Sequence, residues 1–323
     1  MRAIAVLTSG GDGPGLNACI RAVTRQALRL GADVYGVSWG YRGLINGDIR
    51  QLSSRDVGGI MNRGGTILGT ARCPEFRDIK VRRTAIRNLN QHGIEGLVVI
   101  GGNGSLTGAL ALHDMGYPVY GVPASIDNDV FGTDMSVGVD TALNTILEAI
   151  DRIKDTATSH QRAFLIEVMG RNCGYLALAS GLAGGAELIL VPEAEGPPMD
   201  KIAEVVVDAY VRGKHHCLIV IAEGWKPGSR AVADYLKAHR EDLGFDVRVT
   251  VLGHVQRGGR PSVFDRLLAT RMGAMAAQRL LSGESGSMVA LRGNQLEPFP
   301  LADAVAQLRP LDLGLLELSD VMD

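Results

Sequence analysis

A hydroxyl and two carboxylates stand two residues apart directly after a short apolar stretch. Ser125, Asp127 and Asp129 follow residues 118–122, whose composition predicts a buried β-strand. Open α/β sheets bind their ligands at the carboxyl ends of such strands. An Asx-rich turn would account for the same three residues without any chemistry. Two glycine-rich loops elsewhere in the chain favour a reaction centre over such a turn.

Two glycine-rich loops occupy equivalent positions after other predicted strands. Gly10–Gly15 follows Ile4–Leu7, and Gly101–Ser105 follows Leu97–Ile100. Glycine lets backbone N–H groups approach an anion closely, and a helix N-terminus behind the loop adds a favourable dipole. Either loop alone would also suit a tight turn, and neither matches the P-loop or the dinucleotide fingerprint. Together they predict a phosphate site of another kind.

Composition narrows the functional classes. The chain has 323 residues, 46% of them hydrophobic, and this size and composition predict two domains. Its 33 basic and 35 acidic residues are interspersed, and this balance argues against nucleic-acid and membrane partners. The four cysteines lack the spacing of zinc sites or of a disulfide framework, so we expect a cytosolic protein. No apolar run has the length of a signal-peptide core or a membrane span.

The elements that must position these loops alternate along the chain. Short apolar runs alternate with amphipathic stretches, which predicts α/β architecture with a mainly parallel sheet and helices on both faces. The pattern restarts near Gly138, which predicts a second α/β unit. The helix-like run Ser262–Leu281 or the strand-like run Met288–Leu291 is expected to return to the first sheet. The predicted domains are therefore 1–138 with about 256–305, and 139–255 with about 306–323.

Eight segments in a fixed order resemble the motifs of one enzyme family. They are Thr8–Gly15, Asn62–Thr66, Ala71–Phe76, Gly101–Ser105, Ser125–Asp129, Ser159–Arg162, Glu167–Arg171 and Leu252–Gly259. Together they cover nearly the whole chain, which resembles the bacterial ATP-dependent 6-phosphofructokinases. The resemblance implies two doubly wound, Rossmann-like domains with an active-site cleft between them, the first for nucleotide and the second for sugar phosphate. It also implies a cytoplasmic homotetramer.

The resemblance implies transfer of a phosphoryl group from ATP to fructose 6-phosphate, with Mg²⁺, giving fructose 1,6-bisphosphate. Asp127 is then the general base, Asp129 supports it and helps place the metal, and Ser125 is a hydroxyl donor near the phosphoryl group. The other implied catalytic residues are Arg72, Arg171 and Gly11.

The implied nucleotide-binding residues are Gly11, Tyr41, Arg72, Cys73, Arg77, Gly102, Asn103, Gly104, Ser105 and Gly108. The implied substrate-binding residues are Ser125, Asp127, Arg162, Met169, Gly170, Arg171, Glu223, Arg248, His254 and Arg257. By the same resemblance, Arg162 and Arg248 reach in from a neighbouring subunit.

Two small residues favour ATP as the donor. Relatives that use pyrophosphate usually carry an acidic residue at the position of Gly104 and a lysine at that of Ala124. Asn103 departs from the family, which usually has a magnesium-binding aspartate there. A neutral amide is a weaker Mg²⁺ ligand, so Asn103 and Asp129 would form a weakened metal site. A tolerated variation, an altered donor or metal preference, and a catalytically weak ligand-sensing homologue remain open.

A distant effector site for ADP or phosphoenolpyruvate is also implied. Its matching residues are Arg21, Arg25, Lys154, Glu187, Arg212 and Lys214. Ser54 and Gly59 depart from the family pattern, and ordinary solvent-facing charge would explain the cluster equally well. The expectation is an effector site of changed affinity or specificity.

Overall fold

The computed structural model describes residues 1–322; residue 323, which the predicted second domain includes, lies outside the described residues. The chain forms two compact units. Unit 1 comprises residues 1–141 and 257–309, and unit 2 comprises residues 142–256 and the C-terminal segment from Pro310.

Unit 1 draws its strands and helices from two separate stretches of the chain. Its strands are β1 Ala3–Thr8, β2 Asp33–Val37, β3 Ile49–Gln51, β4 Gly96–Gly101, β5 Val119–Pro123, β10 Ser287–Arg292 and β11 Gln295–Pro300. Its helices are α1 Leu16–Arg29, α2 Gly40–Asn46, α3 Ile79–Gln91, α4 Asn103–His113, α10 Val263–Leu281 and α11 Leu301–Ala306, with a 3-10 turn at Pro74–Arg77.

Unit 2 contains the remaining elements. Its strands are β6 Arg162–Val168, β7 Leu188–Leu190, β8 His216–Ala222 and β9 Asp246–Val251. Its helices are α6 Tyr175–Gly184, α7 Met199–Val211, α8 Ser229–Ala238, α9 Arg240–Leu243 and α12 Gly314–Met322. A 3-10 turn at Gly253–Arg257 follows β9, and its last residue, Arg257, is the first residue of the second stretch of unit 1. Helix α5, Val139–His160, begins in unit 1 and continues into unit 2.

Seven strands in the order β11-β10-β5-β4-β1-β2-β3 form the sheet of unit 1. The five central strands are parallel, and the two edge strands β3 and β11 are antiparallel. One apolar layer joins α1 and α10 to the sheet, and a second joins α2, α3, α4 and α11 to its other face. Helices therefore cover both faces, which confirms the predicted α/β class with mainly parallel sheets.

Both late segments return to the first sheet. Strand β10 pairs in parallel with β5, and α10 packs along α1, where Gly273 lies against the backbone of Cys19. The buried carboxylate of Asp265 in α10 accepts hydrogen bonds from the backbone N–H groups of Gly138 and Thr141, both at 2.8 Å. It therefore satisfies N–H groups at the start of α5, which have no partner within the helix.

The sheet of unit 2 has the order β7-β8-β6-β9 and is entirely parallel. Its strands are rich in Val, Ile and Leu, and β8 is buried from Cys217 to Ala222 because helices cover the sheet. Within residues 1–322, none of the helices has the length and apolar character that crossing a bilayer requires.

Candidate active site

Three loops that carry predicted site residues emerge side by side at one edge of unit 1. Strands β5, β4 and β1 are neighbours and parallel, so their carboxyl ends meet at the same edge. The loops are joined by backbone hydrogen bonds, from Ser9 N–H to the Ile100 carbonyl at 3.1 Å and from Ala124 N–H to the Gly101 carbonyl at 3.0 Å. A pocket at this edge is lined by Gly11, Asp12, Gly13, Leu16, Gly102, Ala124, Ser125, Ile126, Asp127, Val137 and Arg257.

The chain reverses tightly at the predicted reaction centre. Asn128 N–H donates to the Ser125 carbonyl at 3.4 Å, and Asn128 itself has φ +53°. This turn brings Asp129 back so that its Oδ1 accepts a hydrogen bond from the Ser125 hydroxyl at 2.9 Å. Asp127 lies within the turn and is partly buried. The sequence therefore predicted a trio that the fold brings together.

Asn103, the first residue of α4, lies against the same turn. Its Nδ2 donates to the Asp129 carbonyl at 3.3 Å. Its Oδ1 is buried and accepts no hydrogen bond from any residue that the structure describes. A buried acceptor without a donor is costly. A side-chain oxygen with unused lone pairs, on a residue that contacts Asp129, suits a divalent cation or its bound water.

Within residues 1–322, no group of three or more His, Cys, Asp or Glu side chains could hold a metal ion. Mg²⁺ commonly binds through one or two protein oxygens together with substrate phosphates and water. Asp129 and Asn103 fit a site of that kind, in which the nucleotide supplies the remaining ligands.

The glycines of α4 serve different purposes. A Cβ on Gly104 would meet no atom of residues 1–322 within 4 Å, whereas a Cβ on Gly108 would lie 2.7 Å from the ring of Tyr41. Packing therefore explains Gly108 but not Gly104. Since glycine costs a helix about 1 kcal/mol relative to alanine, the open space beside Gly104 favours close approach of a ligand.

Two predicted nucleotide contacts also hold the site together. The Ser105 hydroxyl donates to the Ser9 carbonyl at 2.9 Å, which links the two glycine loops. The Tyr41 hydroxyl donates to the Ser105 carbonyl at 2.6 Å, and its ring stacks on Phe76 with centroids 4.0 Å apart. Tyr41 is 4% exposed, and burial raises the pKa of its hydroxyl well above the usual value.

The loop that leads to Arg72 is fastened to the first glycine loop. The Thr70 hydroxyl donates to the Gly10 carbonyl at 2.9 Å, and the Asn17 amide in α1 donates to the carbonyls of Arg63 and Gly64.

Three further predicted nucleotide contacts differ in exposure. Arg72 and Arg77 are exposed, and Cys73 is half-buried. Burial, together with a hydrogen bond and the charge of Glu75, raises the pKa of the Cys73 thiol. This shift favours the neutral thiol over the thiolate.

Arg257 belongs to unit 1 and lies over the first glycine loop. Its NH1 donates to the Asp12 carbonyl at 3.1 Å, and it occupies the space that a Cβ on Gly11 would need. Glycine at position 11 therefore leaves room for a guanidinium beside the loop.

The carboxyl edge of the unit 2 sheet collects five of the predicted sugar-phosphate residues. Met169, Gly170 and Arg171 follow β6, Glu223 follows β8, and His254 follows β9.

Hydrogen bonds hold these three strand ends together. Glu223 N–H donates to the Val168 carbonyl at 2.8 Å. The fully buried Gln256 accepts from Met169 N–H at 3.0 Å and donates to the Gly253 carbonyl at 2.9 Å. Sequence reasoning missed this anchor because a buried glutamine has no signature that distinguishes it from an exposed one.

Arg162 and Arg248 lie elsewhere. Arg162 begins β6, six residues before Val168, and a strand of that length spans about 20 Å. Both arginines pair with Asp246 at the start of β9, with Arg162 Nε at 3.7 Å and Arg248 NH2 at 2.6 Å from Oδ2. The structure therefore does not bring them to the edge that carries Met169 and Glu223.

Three of the predicted effector residues of unit 2 form a charged cluster, namely Lys154, Glu187 and Lys214. Lys214 Nζ lies 3.3 Å from Glu187 Oε1, and Lys154 donates to the Gly184 carbonyl at 2.7 Å. Arg212 is the C-cap residue directly after α7, while Arg21 and Arg25 lie on α1 in unit 1.

His216, which the sequence did not single out, belongs to this cluster. Burial lowers the pKa of its imidazole, and its Nδ1 lies 3.0 Å from the Thr158 hydroxyl. The positive charges of Lys154, Lys214 and His215 also lower this pKa, whereas Glu187 raises it.

Comparison with known proteins gives consistent results. The phosphofructokinase family model matches residues 3–280. The ATP-dependent 6-phosphofructokinases of Natranaerobius thermophilus and Bacillus cytotoxicus are each 53% identical over 319 residues, which is 99% of this chain and 98% of each relative.

Solved structures show the same similarity. Phosphofructokinase from Saccharomyces cerevisiae is 40% identical with a TM-score of 0.86 over 94% of this chain, although the chain spans only 45% of the yeast one. A pyrophosphate-dependent phosphofructokinase from Marinobacter aquaeolei, 24% identical with a TM-score of 0.87 over 97% of this chain and 86% of its own, shares the fold. The chain belongs to the phosphofructokinase family.

Proposed function

We propose that this chain catalyses ATP-dependent phosphorylation of fructose 6-phosphate to fructose 1,6-bisphosphate, a glycolytic reaction. The observation that carries the proposal is the meeting of two glycine loops and the Ser125–Asp129 turn at one sheet edge. The curated relatives at 53% identity, named ATP-dependent 6-phosphofructokinases, support the same activity.

Asp127 is the general base. It accepts the proton of the sugar 1-hydroxyl as that oxygen bonds to the γ-phosphorus, and the bond from that phosphorus to the β–γ bridging oxygen breaks, which releases ADP. Charge on the transferring group is stabilised by Arg72, Arg171, the Ser125 hydroxyl and the Gly11 N–H. Preorganised donors of this kind usually supply most of the catalysis in phosphoryl transfer.

Asp129 and the amide oxygen of Asn103 are the residues that would hold Mg²⁺, with the phosphates of ATP as its further ligands. When bound, the metal neutralises charge on the β- and γ-phosphate oxygens. The unused acceptor of Asn103 beside Asp129 supports this assignment.

ATP is the donor because unit 1 leaves space where a nucleotide approaches. Gly104 faces open space, and Ala124, which lines the pocket, offers no cation for a free pyrophosphate. In this proposal unit 1 binds the nucleotide through the residues predicted above. Met169, Gly170, Glu223 and His254 of unit 2, with Arg257, hold fructose 6-phosphate.

The active enzyme is a cytoplasmic homotetramer in which Arg162 and Arg248 complete the sugar-phosphate site of a neighbouring subunit. Their distance along β6 and β9 from the edge that carries Met169 and Glu223 supports a role outside their own subunit's site. ADP or phosphoenolpyruvate binds at the effector residues predicted above. The Lys154, Glu187 and Lys214 cluster supports an anion there.

The test is a steady-state assay of fructose 6-phosphate with ATP and Mg²⁺, repeated with pyrophosphate, with the product identified by mass spectrometry. The proposal expects fructose 1,6-bisphosphate from ATP alone. It also expects Asp127→Asn to lower kcat by about 10²–10⁴-fold with little change in sugar-phosphate affinity. Turnover with pyrophosphate only, or binding of both ligands without turnover, would overturn it.

A further inference from the structure

Asn128 separates the two carboxylates of the reaction centre and has an unusual backbone. Its φ of +53° lies in the left-handed region, which non-glycine residues seldom adopt and asparagine tolerates best. The residue is 1% exposed, so its polar atoms must find partners inside the protein.

The amide of Asn128 fastens this turn to the segment that follows it. Nδ2 donates to the Asp134 carbonyl at 3.2 Å and contacts Met135 Sδ at 3.5 Å. Oδ1 accepts from Ser136 N–H at 3.0 Å. The side chain therefore fixes a strained backbone from a neighbouring part of the same unit.

That neighbouring segment is itself immobilised. Val137 N–H donates to the Pro123 carbonyl at 3.0 Å, and Ala124 and Val137 form an isolated parallel bridge. Two residues further, α5 begins, with Asp265 capping its first turn. The amide of Asn128 thus connects the turn to a rigid support.

The direction of both carboxylates depends on the same backbone. In an extended chain, residues 125, 127 and 129 would continue along one line, and Ser125 could not reach Asp129. The left-handed residue at 128 reverses the chain, which makes the 2.9 Å bond from Ser125 to Asp129 possible.

We infer that Asn128 is a positioning residue for the phosphoryl-transfer reaction: its left-handed backbone and buried amide together orient Asp127 and Asp129. The inference rests on the proposed function for its kinetic consequence. It assigns Asn128 no contact with substrate.

Two substitutions separate the contributions of Asn128. Asn128→Gly keeps the left-handed backbone accessible but removes the three side-chain contacts. Asn128→Ala removes these contacts and also disfavours the left-handed backbone. The matched control is Asn88→Ala, because Asn88 is another buried asparagine of unit 1 whose amide donates to two carbonyls, those of Leu44 and Ile45.

Misplaced reacting groups lower kcat more than they weaken binding. We expect Asn128→Gly to lower kcat by about tenfold and Asn128→Ala by about 100-fold, with the dissociation constant of fructose 6-phosphate within twofold of the parent. Asn88→Ala should lower the melting temperature as much as Asn128→Gly does, with kcat unchanged. Equal kcat in the parent, Asn128→Gly and Asn128→Ala would overturn the inference.

Hydrogen exchange supplies a readout that does not require turnover. The backbone amides of residues 125–130 should exchange at least about tenfold faster in Asn128→Gly than in the parent, and not in Asn88→Ala. Unchanged exchange there would also overturn the inference. If the parent has no activity but Asn128→Gly still exchanges faster than the parent, the proposed function is contradicted and the inference about Asn128 is not. If Asn128→Ala does not fold, Asn128→Gly decides both measurements.

Discussion

The side-chain amide of Asn103 donates a hydrogen bond to the backbone carbonyl of Asp129 at 3.3 Å, while its own buried oxygen accepts none from residues 1–322. Asn103 therefore links the first turn of α4 to the reaction centre. An aspartate at this position could not donate that bond, although it would add a negative charge. The two effects are separable by experiment.

Asn103→Asp is expected to tighten metal binding. The added carboxylate lowers the Mg²⁺ concentration for half-maximal rate by about tenfold, because Mg²⁺ prefers charged oxygen ligands. Titration of Mg²⁺ at saturating substrates measures this change, and calorimetry of Mg²⁺ with ADP checks it without turnover. Equal metal requirements in the two proteins would show that Asn103 does not lie at the metal site.

Alanine substitutions at Gly104 and Gly108 are expected to change the free energy of unfolding in opposite directions. Gly104→Ala enters open space in a helix, so it should raise the free energy of unfolding by up to about 1 kcal/mol while raising the KM for ATP. Gly108→Ala presses on the Tyr41 ring and should lower that free energy by about 1–3 kcal/mol. Denaturant melts and ATP saturation curves provide the measurements. An unchanged KM in Gly104→Ala would remove the main reason for placing the nucleotide there.

Arg162→Ala and Asp127→Asn are expected to complement each other when mixed. If Arg162 serves a neighbouring subunit, random assembly of the two inactive proteins gives about a quarter of the sites an intact set of residues. Co-expression followed by an activity assay measures the recovery. Mixing Asp127→Asn with Arg171→Ala is the control, because Arg171 is proposed to act in the same subunit as Asp127. Recovery in the control alone would refute the sharing of Arg162.

Asp265→Asn is expected to destabilise unit 1. The buried carboxylate accepts from Gly138, from Thr141 N–H and from the Thr141 hydroxyl, the last at 2.5 Å. An amide nitrogen in place of one oxygen leaves a donor unpaired, which costs about 1–3 kcal/mol. Urea unfolding should show this loss, whereas Asp303→Asn, at an exposed helix position, should not. Equal stabilities would mean that α5 does not depend on this cap.

His216 is expected to make unit 2 sensitive to acid. Burial lowers the pKa of His216 in the folded state below the ordinary 6.5, so protonation favours the unfolded chain. Its stabilising contribution is complete above about pH 6.5 and is lost as the pH falls below that value. Melting temperatures at pH 7.5 and 5.5 should therefore differ less in His216→Gln than in the parent. His215→Gln, next to it but exposed, is the control, and an equal effect there would contradict this prediction.

The central strands and the glycine loops were predictable because buried parallel strands are continuous apolar runs and end in small or polar residues. Strands β3 and β11 were not predicted, since Ile49–Gln51 and Gln295–Pro300 are short or polar edge segments without that pattern.

At the site, residue types identified Ser125, Asp127 and Asp129. The supporting amides of Asn128 and Gln256 were not identified, because only tertiary packing shows that they are buried. A weak signal existed for Asn128, since asparagine is the non-glycine residue that most readily reverses a chain.

The pairing of β10 with β5 has a consequence for biosynthesis. Tyr120 obtains its partner Ser287 only when most of the chain has left the ribosome. Residues 142–256 of unit 2 emerge before Ser287 does. Unit 2 can therefore gain structure while β5 still exposes an unpaired strand edge, the kind of surface that chaperones protect. Synthesis of this protein is thus expected to end, rather than begin, with completion of its N-terminal sheet.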